Sequence, residues 1–63
     1  MSDQPVILVV DDDMVGLTIT EQELRKRYGR DYRVLGRQSA AEALAELRRL
    51  RDAGRPVALI LAD

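Results

Sequence analysis

Cysteine and histidine are both absent from the 63-residue chain, which removes disulfide staples and the usual zinc ligands together. One-sided charge is missing too. Ten Lys and Arg stand against eleven Asp and Glu, a formal net charge of −1, so no basic field draws the chain to nucleic acid or to an anionic membrane. The apolar runs Val6–Val10 and Val57–Ala62 fall far short of the roughly 20 residues a membrane helix requires. The N-terminus, Met1-Ser2-Asp3-Gln4-Pro5, carries an acid where a secretory signal needs positive charge. These absences leave a soluble, cytoplasmic protein with no direct nucleic-acid or membrane contact as the expectation. What is present has a globular balance, 46% hydrophobic and 33% charged. A chain this small buries only about 60% of the surface its unfolded form exposes, so its stability is expected to be marginal.

Short apolar runs alternate with longer amphipathic ones. Val6-Ile7-Leu8-Val9-Val10 is continuous, β-branched and preceded by Pro5, the pattern of a strand buried on both faces. From Met14 to about Tyr28 the period becomes helical, with Met14, Leu17, Leu24 and Tyr28 on one stripe and Val15 and Ile19 widening it. Glu21 and Glu23 precede Arg25, Lys26 and Arg27, an order that suits the helix macrodipole, and Gly29 offers a stop. Tyr32–Leu35 reads as a short edge strand, since it carries Arg33. Ser39 and Glu42 form a capping box ahead of a second helix. Leu44, Leu47 and Leu50 mark that helix's expected buried stripe, and Ala40 and Ala43 allow close approach to a sheet. Gly54 and Pro56 close it. Val57–Ala62 is a third strand, fully apolar, ending at Asp63.

The order is therefore βαβαβ. Helical connections between apolar strands imply right-handed crossovers and a parallel sheet. An order 1-2-3 would bury the strand that carries Arg33, so the doubly wound order 2-1-3 is expected, with the first strand central. The third strand, left as an uncharged edge, would be prone to aggregate and calls for a neighbour. The expectation is thus that residues 1–63 form the N-terminal portion of one larger domain and fold poorly alone.

Asp11-Asp12-Asp13 follows the first strand directly, and Asp63 follows the third. If those strands are neighbours, the carboxylates meet in the crevice where open α/β sheets bind ligands. Holding two such charges at ~4 Å costs roughly 4 kcal/mol at an effective dielectric of 20. A hard divalent cation recovers that cost. Mg²⁺ takes one or two carboxylates, keeps several waters and leaves room for a phosphoryl group, and a carboxylate beside it can attack phosphorus. The plainer roles are an N-cap for Asp13 and a loop acid for Asp63. Asp11 and Asp12 together exceed any capping need.

The segments Val6 through Asp13, Ser39-Ala40-Ala41-Glu42-Ala43-Leu44 and Val57 through Asp63 resemble the response-regulator receiver domain of two-component signalling, a flavodoxin-like fold with strand order 2-1-3-4-5. The resemblance covers essentially the whole chain, which would be the first half of a receiver. It implies that Asp63 is the phospho-acceptor, charged by a sensor histidine kinase or a phosphotransfer protein. It further implies that Asp12 holds Mg²⁺ directly, that Asp11 does so largely through water, and that Asp63 completes the protein ligands. Asp13 takes no catalytic role, and Ala40 stands where many members have Gly. An effector or output domain would read the switch, and the module would catalyse at most its own phosphorylation and dephosphorylation. The Ser/Thr after the family's fourth strand and the Lys after its fifth have no counterpart in residues 1–63. The stretch Arg25–Leu35 is also similar to receivers placed ahead of a thioredoxin-reductase-like flavoprotein, although none of its residues binds flavin.

Other readings fit less well. Asp11-x-Asp13-x-Val15 matches the first motif of haloacid-dehalogenase-type phosphatases, with Asp11 as nucleophile and Asp13 as acid/base. The helix expected to begin at once leaves no room for that family's flap, and Asp63 gains no role. A dinucleotide fold needs glycines and free helix amides after the first strand, where this chain has three negative charges. An EF-hand fails because Val15 and Gln22 fall where oxygen ligands belong. A phosphorylation-independent interaction module of receiver architecture remains open.

Overall fold

The computed structural model describes residues 4–62. Val6–Val10 forms β1, Met14–Tyr28 α1, Arg33–Arg37 β2, Ala40–Asp52 α2 and Val57–Ala62 β3. All strands are parallel and lie in the order β2-β1-β3. This is the expected doubly wound α/β arrangement, with the strand order of a flavodoxin-like βαβαβ unit.

The continuous apolar run of β1 is required because both of its faces are covered. Val6 and Leu8 are fully buried and pack with Ala43 and Leu50 of α2 on one side of the sheet. Ile7 and Val9 pack with Leu17 of α1 and Val34 of β2 on the other. Alternation along the strand thus feeds two separate cores from one segment. Register is pinned at both ends. Asp11 donates its N–H to the Arg37 carbonyl at 3.1 Å, and Val6 donates to the Pro56 carbonyl at 2.9 Å. Ala58 is an extra residue in the β1–β3 ladder, since Val6 pairs with Val57 but Ile7 with Leu59.

Three expectations need correction. First, β2 spans Arg33–Arg37 rather than ending at Leu35. Gly36 and Arg37 continue because Val9 and Val10 of β1 pair with them. Second, the α1 stripe is only partly used. Leu17 is buried and Leu24 half-buried, but Met14, Val15, Ile19 and Tyr28 are exposed. The helix packs mainly on β2 and β1, a support too narrow to cover so wide a stripe. Third, the buried face of α2 is Ala43, Glu46 and Leu50 with Leu47 half-buried, while Ala40 and Leu44 are exposed.

The helix ends follow local chemistry. Ser39 accepts from the Glu42 N–H at 3.1 Å, and the Glu42 carboxylate reaches back to the Gln38 N–H at the same distance, a variant of the capping box. At the other end Gly54 has φ +71°, the left-handed conformation a Schellman cap requires. Arg55 N–H bonds the Leu50 carbonyl and Gly54 N–H the Arg51 carbonyl. Gly29 is the C-cap of α1, as expected, with an ordinary φ of −62° and its N–H on the Arg25 carbonyl, and the turn beyond it is closed by Asp31 and Tyr32, which both donate to the Tyr28 carbonyl.

Glu46 is the one buried charge among the described residues, only 6% exposed. Arg37 of β2 bonds it at 2.8 Å, and Arg49 one turn along α2 also bonds it. The Arg49 hydrogen bond, helped by the Arg37 bond and by both positive charges, holds the Glu46 carboxyl below its ordinary range against the opposing pull of burial. A carboxyl lowered in the folded state contributes stability that is present above its unfolded pKa, about 4.3, and is lost as pH falls through the folded value. Replacing Glu46 by Ala is expected to cost about 1.5–3 kcal/mol at pH 7, and Glu46→Gln to flatten the acid side of the stability profile. Urea unfolding at pH 7 and pH 3 measures both. Gly36 provides a second test. A Cβ there would fall 1.6 Å from Glu21 Oε2 and 3.0 Å from the buried Leu17 Cδ1, so Gly36→Val should lower stability by about 1–3 kcal/mol, read from the same unfolding curves.

Candidate functional site

The two crossovers leave β1 and β3 as neighbours, with α1, which follows β1, and α2, which precedes β3, on opposite faces of the sheet, which makes the C-terminal ends of these strands the switch point. Val10 pairs with Ala62 there, and the chain then turns to Asp11 on one strand. Between the strand ends and α1 lies a crevice of about 380 Å³ lined by Val9, Val10, Asp11, Thr20, Leu61 and Ala62. A larger hollow of about 570 Å³ lies along β2, against Gln4, Arg25 and Tyr32. It holds no carboxylate and, by chemistry, is the poorer candidate.

The three acids have different jobs. Asp11 is half-buried, and its Oδ1 accepts the Asp13 N–H at 3.0 Å, a local turn that orients the carboxylate. Asp12 is exposed at the bend between strand and helix. Asp13 is the N-cap of α1: its backbone is extended (φ −91°, ψ 109°) and its Oδ1 accepts the Val15 N–H at 3.2 Å. Asp63 lies outside the described residues. Since α1 begins at Met14, directly after the cap, no segment intervenes that a phosphatase flap could occupy, and the Asp13 carboxylate is engaged by the helix it starts.

Among the described residues, no three acids converge as a metal-binding group. What Asp11 and Asp12 offer is the smaller donor set of one or two hard carboxylates, open to water, that Mg²⁺ uses. The donor chemistry therefore suits that ion, and Asp11 and Asp12 are the residues that would hold it. Two neighbours of the site carried no signal in motif terms. Thr20 puts a hydroxyl-bearing side chain into the crevice lining, and Gly16, one turn earlier on α1, adjoins the Asp11 and Asp13 carboxylates.

Replacing Asp13 by Ala removes only the cap. The expected result is a loss of about 1 kcal/mol of stability, measured by thermal unfolding. No helix among the described residues is long and apolar enough to cross a membrane. In comparison with known proteins, no family model, no curated protein and no solved structure matches the chain.

Proposed function

We propose that residues 1–63 are the N-terminal portion of a response-regulator receiver domain, a cytoplasmic phospho-accepting module of a two-component phosphorelay. Asp63 is its phospho-acceptor, and Asp11 and Asp12 hold Mg²⁺ with Asp63. The observation that carries this reading is the pairing of Val10 with Ala62 on adjacent parallel strands. That pair lies at the end of the sheet where ligands of doubly wound folds bind, and in the sequence the residue after each of the two is an acid, Asp11 and Asp63.

In this reading the chain's own carboxylates do the work. A carboxylate oxygen of Asp63 forms a bond to the phosphorus of a phosphohistidine on a sensor kinase or phosphotransfer protein. The P–N bond breaks, its electron pair returns to the imidazole, and that nitrogen takes up a proton. Asp11 and Asp12 supply negative charge that orients the site before the phosphoryl group arrives. A bound Mg²⁺ supplies neutralisation of the phosphoryl oxygens. The product is a changed surface for an effector or output domain to read, so the module is a switch and not an enzyme acting on a separate substrate.

Incubation with acetyl phosphate and Mg²⁺, followed by borohydride trapping and peptide mass analysis, tests the assignment. Labelling is expected at Asp63, abolished by Asp63→Asn or by chelation, and reduced at least tenfold by Asp12→Asn. A label on Asp11 would establish the phosphatase chemistry instead. A wild-type chain that stays unlabelled while binding Mg²⁺ would mark a phosphorylation-independent module.

A further inference from the structure

Gly16 occupies the third position of α1, inside a helix where glycine is the poorest ordinary residue. Its surroundings give a reason. A Cβ built on Gly16 would stand 3.0 Å from Asp11 Oδ2 and 3.4 Å from Asp13 Oδ2. The first distance is closer than ordinary van der Waals contact, and the neighbour is the oxygen of Asp11 not bonded to the Asp13 N–H. Asp11 is half-buried at the crevice mouth and Gly16 is partly covered beside it. The missing methyl group thus leaves space at the one carboxylate oxygen that the local turn does not engage.

We infer that Gly16 is a positioning residue for the acidic site: its lack of a side chain sets the orientation of the Asp11 carboxylate and keeps Asp11 Oδ2 accessible to the hydration shell of a divalent cation. The inference rests on the metal-binding reading above and adds to it the determinant of the ligand's geometry. A structural role and a positioning role predict opposite signs. An alanine at this position favours the helix, and the Asp11 carboxylate, being only half-buried, turns aside to admit it. The chain becomes more stable and its site worse.

Gly16→Ala in the full chain, with Thr18→Ala as a control on the exposed face of the same helix, separates these. Gly16→Ala is expected to raise Tm by about 2–5 °C. It should also shift the ¹³C carboxyl resonance of Asp11 in metal-free protein and weaken Mg²⁺ binding about tenfold, followed by titration with Mg²⁺ alone. Thr18→Ala should raise Tm while leaving the resonance and the affinity unchanged. A Gly16→Ala chain with wild-type Asp11 resonance and wild-type Mg²⁺ affinity overturns the inference and leaves the metal reading standing. A fall in Tm also overturns it, since Asp11 then does not yield and the glycine serves packing. If Asp11→Asn and Asp12→Asn bind Mg²⁺ as well as wild type, the metal reading itself fails and the inference goes with it.

Discussion

Both cores of this small fold are fed by β1. Its even residues face α2 and its odd residues α1, so one five-residue segment must stay in register with two strands and two helices at once. Apolarity alone does not fix that register, because every residue of the strand is hydrophobic and a slip by one would exchange one apolar side chain for another. The ends do fix it. Pro5, just before the strand, has no N–H to add to a ladder. Asp11, just after it, would carry a carboxylate into the interior if the strand advanced by one position, a penalty of several kcal/mol for an unpaired buried ion. The acidic run therefore has a structural duty as the stop that defines where β1 ends. One acid suffices for that duty, and a second caps α1. Asp12 is the member that neither duty explains.

Much of this was legible from residue patterns. The strand and helix identities followed from period and caps, and the order β2-β1-β3 followed from Arg33, a residue no central strand would carry. What escaped was anything decided by the partner across a gap. The length of β2 is set by β1, and Gly36 and Arg37, poor strand residues by local preference, are held by pairing with Val9 and Val10. The phase of α2 turns on Glu46. A glutamate on a buried face contradicts hydrophobic patterning, and it is allowed because Arg37 and Arg49 meet it there. Leu44, chosen by patterning, is exposed. On α1 the apolar stripe is wider than the two strands beneath it, so its width showed which residues could be buried and not which ones are.

The candidate site divides in the same way. Asp11 and Asp12 were visible as acids at the mouth of a buried strand, and Asp13 as a cap, because each acts through atoms it possesses. Gly16 acts through atoms it lacks. Its importance depends on where Asp11 Oδ2 lies in space, which no spacing rule contains. Thr20 became a candidate only once the crevice lining was known. Asp63 remains a sequence assignment, outside the described residues.

The walls of the crevice are unequal, and this bears on how a ligand there would act. On one side Asp11 is bound to β2 through the Arg37 carbonyl, and Arg37 is in turn held by the buried Glu46 of α2. On the other, β3 contributes Leu61 and Ala62, and Leu59, Ile60 and Leu61 are 48%, 47% and 37% exposed. The firm wall is tied down by helix and ion pair, whereas the other depends mainly on the β1–β3 ladder, with Val57 at its start packed against the α2-side core. A ligand that binds only when both strand ends are in place adds its binding free energy to that weaker contact, as RT ln(1 + [L]/Kd). A group joined to β3 and facing Asp11 would act on the same contact. The geometry of the sheet would thus couple any binding at this crevice to the packing of β3 against β1.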